Sequence, residues 1–149
     1  MQLNAFTDYS LRVLVYAASQ PEQQCVTADV AAAFGVSRNH MVKVVHALQR
    51  FGYVRTVRGR RGGFRLAAAP DRIRLGDVVR RTEGTLALVE CFETGSACPL
   101  TRACGIKRAL SNASSAFFEV LDRWTVADAI GEPQWAARVH RLHVRRKSA

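Results

Sequence analysis

Long hydrophobic runs are missing from this sequence. No stretch approaches the roughly 18 consecutive apolar residues that a membrane helix needs. The first ten residues, MQLNAFTDYS, are polar and lack a basic start followed by an apolar segment. We therefore expect a cytoplasmic protein with no membrane partner, in a compartment where thiols stay reduced.

Catalytic motifs are also missing. The glycines match neither a phosphate-binding P-loop nor a dinucleotide fingerprint, and no nucleophile stands beside a general base. The four histidines show no metal-pair spacing outside the C-terminal tail. The sequence therefore predicts a protein that is not an enzyme.

Acidic residues are scarce where basic residues are dense. Residues 38–81 contain twelve Lys and Arg but only two acids, so this segment carries the whole net charge of +10. A short charge run is often only a solvated surface, but a concentration of this size favours a polyanionic partner. Among polyanions we expect nucleic acid before an anionic membrane.

The spacing of apolar residues predicts three helices in the first 50 residues. They cover residues 8–19, 28–34 and 38–50. Thr7, Thr27 and Ser37 are the candidate N-caps, and Gly35 marks the turn between the second and third helices. A helix, a short turn with glycine and a second helix form the helix-turn-helix pattern.

In a helix-turn-helix, the start of the second helix meets base edges in the major groove of double-stranded DNA. Arg and Asn can make bidentate contacts with guanine and adenine there. The candidate DNA-binding residues of this helix are Ser37, Arg38, Asn39, His40 and Lys43. An ordinary polar helix start gives the same pattern, so the next segment has to decide.

The segment YVRTVRGRRGGFRLAA follows the third helix and favours DNA binding. Its apolar and polar residues alternate on both sides of the glycines, which predicts a hairpin with strands at 53–57 and 63–67. A basic hairpin after a recognition helix is the wing of a winged helix. Arg58, Arg60 and Arg61 at its tip would reach phosphates or the minor groove. RNA is the weaker candidate because no aromatic stacking platform is present.

A long helix is predicted after Cys104, following a shorter one at 75–82. Its apolar residues recur at alternating steps of four and three, which is a heptad seam. They are Ile106, Leu110, Ala113, Phe117, Val120 and Trp124. A core-facing helix within one chain is the alternative, but we favour pairing with a second copy. Such a homodimer would read a palindromic operator, with recognition helices about 34 Å apart.

Three cysteines, Cys91, Cys98 and Cys104, lie close together before this helix, with no histidine nearby. Their spacing does not match the close pairs of a zinc site, and a disulfide would leave one thiol over. The residues leave open an iron–sulfur cluster, a thiol redox switch, and zinc or plain buried cysteines. The positive end of the following helix stabilises anions at the loop, which favours the cluster. Cys25 is interpreted as a partly buried free thiol.

Taken together, three segments resemble the NsrR-type nitric-oxide-sensing repressors, part of a winged-helix family that also includes the iron–sulfur regulator IscR. The segments are LNAFTDYSLRVLVYAA, TADVAAAFGVSRNHMVKVVHALQRFGYVRTVRGRRGGFRLA, and VECF with the cysteine loop leading to IKRAL. The resemblance spans about residues 1 to 130, and the combination is more specific than any one segment.

The resemblance implies a transcriptional repressor whose iron–sulfur cluster senses nitric oxide, with reaction at the cluster releasing operator DNA. The implied cluster is [4Fe-4S], with [2Fe-2S] as the alternative. Its implied ligands are Cys91, Cys98, Cys104 and Asp8 of the partner subunit. From the residues alone, Asp8 is more simply an acid at a helix N-terminus. An IscR-type assignment would want a histidine at position 107, where this chain has Lys107.

Three functional alternatives stay open. One is a regulator on the same scaffold that senses iron–sulfur status or oxidative stress, and another is a thiol-based redox switch without a cluster. The third is a basic redox or electron-carrier protein, which would show no operator preference. The predicted fold class is mainly α, a winged helix-turn-helix with a two-stranded β wing plus a long C-terminal dimerisation helix. Its expected divisions are a DNA-binding domain at 1–82, a cluster-binding loop at 83–104, the dimerisation helix and a short following helix at 105–131, and a basic tail at 132–149.

Overall fold

The computed structural model describes residues 2–57, 62–93, 95–100 and 103–131, so the tail predicted at 132–149 lies outside the described residues. The described chain is mainly helical with a two-stranded antiparallel sheet, and the predicted winged-helix fold is confirmed. Its helices are α1 (Ala5–Ala18), α2 (Thr27–Phe34), α3 (Arg38–Arg50), α4 (Leu75–Thr82), α5 (Gly105–Arg123) and α6 (Val126–Gly131). Its strands are β1 (Val54–Val57) and β2 (Gly63–Leu66), and short 3-10 turns lie at Pro70–Arg72 and Glu90–Phe92.

Helix α1 begins earlier than the sequence predicts. Its N-cap is Asn4, whose Oδ1 accepts a hydrogen bond of 2.8 Å from the backbone N–H of Thr7. Thr7 itself is fully buried in the first turn, so the prediction that it caps a helix starting at Asp8 is wrong. Both residue types can cap a helix. Asn4 is fixed in this role because its Nδ2 also donates to Glu83, just after α4, at 2.9 Å.

The helix-turn-helix forms largely as predicted. Gly35 ends α2 in the left-handed conformation, with φ +65°, which glycine adopts without steric cost. The Oγ of Ser37 caps α3 by accepting from the N–H of His40 at 3.3 Å. The Thr27 cap is wrong, because α2 starts at Thr27 and Val26 before it offers no side-chain cap.

One hydrophobic core joins α1, α2 and α3 to the hairpin, α4 and α6. Burying a large apolar side chain contributes about 1.5–3 kcal/mol, so these residues dominate the stability of the winged domain. Those with no or almost no exposed surface include Val13, Leu14, Val30, Met41, Leu48, Phe64, Val78 and Val126. Phe64 on β2 also exchanges two backbone hydrogen bonds with Cys25, at 2.8 and 2.9 Å, so the loop before α2 is tied to the wing.

Helix α5 is joined to α4 near its C-terminal end. The guanidinium of Arg80 donates two hydrogen bonds of 2.7 Å to the carboxylate of Asp122, and it lies 4.4 Å from the centre of the Phe118 ring. These bonds hold the pKa of Asp122 below its usual value. Gly76 permits the close approach, because a Cβ at that position would collide with the Asp122 carboxylate.

The apolar stripe of α5 finds little cover within the chain. No residue of this helix is buried. Ile106 is 73% exposed, Val120 54% and Trp124, just after the helix, 44%. The predicted alternative, a core-facing helix within one chain, therefore does not describe α5. In the described part of the chain, no helix has the length and apolar character needed to span a membrane.

Candidate DNA interface and cysteine loop

Helix α3 presents the predicted DNA-binding residues on the surface. Ser37, Arg38, Asn39, His40 and Lys43 are all exposed, and the first turn carries no acidic residue. The opposite side of the helix is anchored by buried residues. They are Met41, Val44, Val45, Ala47 and Leu48. A polar, basic face on a rigidly packed helix is what insertion into the major groove requires.

The wing has a stem that the structure describes and a tip that it does not. Arg58, Arg60 and Arg61 lie outside the described residues. In the stem, Arg55 on β1 pairs directly with Arg65 on β2, and both are exposed. Like charges directly opposite each other in a sheet are destabilising. An anion bound at this pair would therefore reduce the repulsion between the two guanidinium groups.

Sequence reasoning passed over this stem pair, although a signal was available. If Val57 is paired with Gly63 across the hairpin, antiparallel register alone places Arg55 opposite Arg65. Neither arginine belongs to an ion pair found among the described residues. Because side chains alternate along a strand, this pair lies on the hairpin face opposite to Thr56 and Phe64, so the stem carries two exposed positive charges there.

The three loop cysteines precede α5 in the chain, and one of them caps it. Cys91 is half-buried in the 3-10 turn Glu90–Phe92, Cys98 is exposed, and Cys104 is half-buried. The Sγ of Cys104 serves as the N-cap of α5 and accepts from the N–H of Lys107 at 3.5 Å. All four cysteines of the chain are thiols, not disulfides.

The single chain does not gather these thiols into a ready metal site. Across the described residues, no three Cys, His, Asp or Glu side chains come close enough together to hold a metal ion. The donor set nevertheless suits an iron–sulfur cluster, because thiolates are the usual ligands of such clusters. Three thiols on one loop would fit once the loop and a fourth donor are brought together.

Cys25 is set apart from the other three by burial. It is 2% exposed, packed in the core beside Phe64. Burial raises the pKa of its thiol to about 12, and the nearby Asp29 carboxylate adds to the effect. Cys25 is therefore a thiol of the hydrophobic core, and it is more deeply buried than the sequence predicts.

Asp8, one turn into α1, is half-buried and engaged with Arg12. The Arg12 Nη2 lies 2.7 Å from Asp8 Oδ2, and Arg12 Nε donates to Asp8 Oδ1 at 3.0 Å. The guanidinium also lies 5.9 Å from the Tyr9 ring centre and 5.6 Å from that of Phe34. A partly exposed ion pair of this kind contributes at most about 1 kcal/mol, so Asp8 can exchange Arg12 for another cation at small cost.

Asn4 and Glu83 connect α1 with the start of the cysteine loop. The backbone N–H of Asn4 donates to Glu83 Oε1 at 2.9 Å, and its Nδ2 donates to Glu83 Oε2 at the same distance. Sequence reasoning missed this pair because its members are 79 positions apart. The pair fixes where the loop leaves the winged domain relative to the turn that carries Asp8.

A family model described as "Rrf2: Iron-dependent Transcriptional regulator" matches residues 3–132. The chain belongs to the Rrf2 family. The HTH-type transcriptional regulator NsrR of Bacillus licheniformis is 45% identical to it over 132 residues, which are 87% of this chain and 92% of that protein. The Rrf2 chain described here is thus a DNA-binding transcriptional regulator and not an enzyme, as the sequence predicts.

Solved structures of Rrf2-type regulators share the fold. CymR, the global cysteine regulator of B. subtilis, superposes with a TM-score of 0.71 at 26% identity, covering 88% of this chain and 97% of that one. IscR of T. potens superposes with a TM-score of 0.72 at 24% identity, covering 89% and 88%. The fold shared with these regulators therefore covers nearly the whole described chain, not the winged helix alone.

Proposed function

We propose that this chain is a homodimeric transcriptional repressor that holds an iron–sulfur cluster and releases operator DNA in response to nitric oxide. The observation that carries the proposal is the exposed apolar stripe of α5, in a helix that begins at the loop bearing three thiols and is capped by one of them, Cys104. The resemblance to NsrR, at 45% identity over nearly the full length of that regulator, supports the same function.

The exposed stripe of α5 supports the dimer. Ile106, Val120 and Trp124 expose large apolar surfaces at heptad spacing. Pairing two copies of this helix would cover them. It would also present two α3 helices to one face of a palindrome, with half-sites about 34 Å apart.

The donor set supports the cluster, for which we propose [4Fe-4S] with [2Fe-2S] as the alternative. Cys91, Cys98 and Cys104 would hold it, since thiolates are its usual ligands. The positive end of the α5 dipole would stabilise an anionic cluster beside Cys104. For the fourth ligand we propose Asp8 of the partner subunit, as the resemblance to NsrR-type repressors implies, whereas Cys25 lies in the hydrophobic core at 2% exposure.

The chain's own residues would convert cluster binding into DNA affinity. When bound, the cluster supplies iron that reacts with nitric oxide. Asp8 of the partner subunit would tie α1 of one winged domain to the cysteine loop of the other subunit, and Asn4 and Glu83 hold that loop to its own α1. The tie would hold two α3 helices at operator spacing, so its loss lowers DNA affinity by favouring other arrangements.

The substitution Asp8→Ala tests the tie. We expect the anaerobically purified variant to lose its cluster faster than the wild type and to bind DNA more weakly. The matched control is Asp71→Ala, which removes the same charge from the exposed Pro70–Arg72 turn. An Asp8→Ala protein with unchanged nitric oxide response and DNA affinity would contradict the tie.

A thiol-based switch is the second candidate. It is favoured by the finding that, among the described residues, no three donor side chains lie close enough together to bind a metal ion. It predicts a reversible disulfide among the loop cysteines and no bound iron. Mass spectrometry of the oxidised and reduced protein distinguishes it from the cluster proposal.

A further inference from the structure

A groove of about 250 Å³ separates α3 from the stem of the wing. Its lining combines the polar side chains of Arg38, His46 and Thr56 with apolar ones such as Val42, Val45 and Phe64, and it has no acid. The start of α2 adds Val26, Thr27 and Ala28.

The groove divides the exposed surface of α3 into two stripes. Arg38, Val42 and His46 follow one another at steps of four and line the groove. Asn39 and Lys43 are each one residue further along, which places them about 100° around a helix of 3.6 residues per turn. They do not line the groove. Arg38 thus faces the wing, although it is adjacent in sequence to Asn39.

The geometry of the DNA duplex determines which part of the DNA would lie in this groove. In a winged helix, α3 enters the major groove and the wing reaches the neighbouring minor groove. A single sugar–phosphate strand separates these two grooves of the duplex. That strand has to cross the gap between α3 and the wing.

We propose that the groove seats this DNA strand, and that Arg38 and His46 contact its phosphates instead of reading bases. Base recognition by α3 is then left to Asn39, His40 and Lys43. The proposal rests on the DNA-binding part of the proposed function and is independent of the cluster.

The chemistry of the lining fits a phosphate. A guanidinium binds phosphate oxygens bidentately, and imidazole and hydroxyl groups such as those of His46 and Thr56 are common partners of the DNA backbone. Gly63 also lines the groove. A Cβ there would lie 2.5 Å from the backbone oxygen of Cys25, so a larger residue would have to move β2 or the loop before α2.

The test begins with a pool of duplexes that carry a randomised central segment. Sequences bound by the wild-type dimer define its consensus, and affinities for strong and weak members are then measured across a salt series. The variants are Arg38→Ala and His46→Ala, with Asn39→Ala as the base-reading comparison. Arg72→Ala is the charge-matched control, because it removes an exposed arginine that does not line the groove.

For Arg38→Ala we expect an unchanged consensus, because phosphate contacts carry no direct sequence information. Affinity should fall about tenfold or more for strong and weak duplexes alike, as for a lost hydrogen bond between charged groups. The slope of log K against log salt should become shallower by about one unit. His46→Ala should also weaken binding uniformly, and Asn39→Ala should change the consensus.

A changed consensus with Arg38→Ala, or an affinity equal to that of Arg72→Ala, overturns the proposal. Thr56→Glu gives a second test, since a carboxylate in the groove should repel the strand and abolish binding, whereas the neutral Thr56→Gln should bind far better. Equal binding by these two variants also overturns it. Thermal melts confirm that each variant is folded. A wild type that selects no duplex would instead count against DNA binding by the chain, which is a separate failure.

Discussion

At the scale of single residues, the same thiol group has two different surroundings in this chain. Cys25 is 2% exposed and its pKa is raised to about 12, whereas Cys98 at the surface loop is exposed. A buried thiol with so high a pKa stays protonated near neutral pH, and a protonated thiol is a poor nucleophile. Cys25 therefore serves the core, and the loop thiols are the ones proposed to hold the cluster.

Removing the Cys25 thiol should change how stability depends on pH. Its pKa is about 12 in the fold against an ordinary value of 9.0. The stabilising contribution is therefore complete below pH 9 and is lost as the pH rises from 9 through 12, by about 1.4 kcal/mol per pH unit. We expect the stability advantage of wild type over Cys25→Ala to shrink across that window. Urea unfolding at several pH values measures it, and a constant difference would contradict the burial argument.

At the scale of elements, the wing depends on a close backbone approach between β2 and the loop before α2. A Cβ at Gly63 would lie 2.5 Å from the backbone oxygen of Cys25. Because that neighbour is backbone, it cannot rotate away, and the two hydrogen bonds between Cys25 and Phe64 would have to stretch. Gly63 therefore matters for the position of the wing.

We expect Gly63→Ala to destabilise the chain by about 1–3 kcal/mol, the usual cost of inserting a methyl group into a filled space. Gly84→Ala is the matched control, since nothing lies within 4 Å of a Cβ built there. Chemical denaturation of both variants gives the comparison. Equal stability of the two would show that the loop moves freely and that the wing is not held in this way.

Elements whose signals are local were predictable from the sequence. The Ser37 cap and Gly35 turn fix α3 at the predicted residues 38–50, and α4 also lies at its predicted residues 75–82. The start of α1 was not predictable, because Asn4 and Thr7 are both good caps and the choice depends on a contact between Asn4 and the distant Glu83.

The candidate site was predictable where its signals are local and not where they depend on packing. Composition and spacing indicate the exposed start of α3 and the three loop thiols. They do not show that Arg38 faces the wing, since that follows from how the hairpin packs on the helix. The pairing of Arg55 with Arg65 follows from the hairpin register, which spacing alone left unassigned. The deep burial of Cys25 likewise depends on its contact with Phe64.

At the scale of the whole molecule, α5 is the helix whose apolar side chains stay exposed in a single chain. It is held to α4 by the pair of Arg80 with Asp122, but none of its residues is buried. A helix with a wide exposed apolar stripe is stabilised in water by a partner. The dimer proposal assigns that partner to a second copy.

Val120→Glu should therefore separate the copies. Val120 is 54% exposed in the single chain and lies on the heptad seam, so pairing would bury two unpaired carboxylates, at a cost of several kcal/mol. We expect the dimer dissociation constant to rise at least about a hundredfold. Ser115→Glu, at an exposed position off the seam, is the control. Sedimentation measurements over a concentration series give the dissociation constants of both variants. An unchanged dissociation constant for Val120→Glu would show that the dimer does not form through this face of α5.

The central claim is that the loop thiols hold a nitric-oxide-responsive cluster that controls DNA binding. An anaerobic visible absorption spectrum with iron and sulfide counts, recorded during a nitric oxide titration, tests it most directly. The proposal predicts a coloured protein with about four irons and four sulfides per chain if the cluster is [4Fe-4S]. Nitric oxide should bleach the colour in step with the loss of DNA binding. A colourless, iron-free protein, even when purified without oxygen, would contradict the claim, and so would a colour and DNA affinity that nitric oxide leaves unchanged.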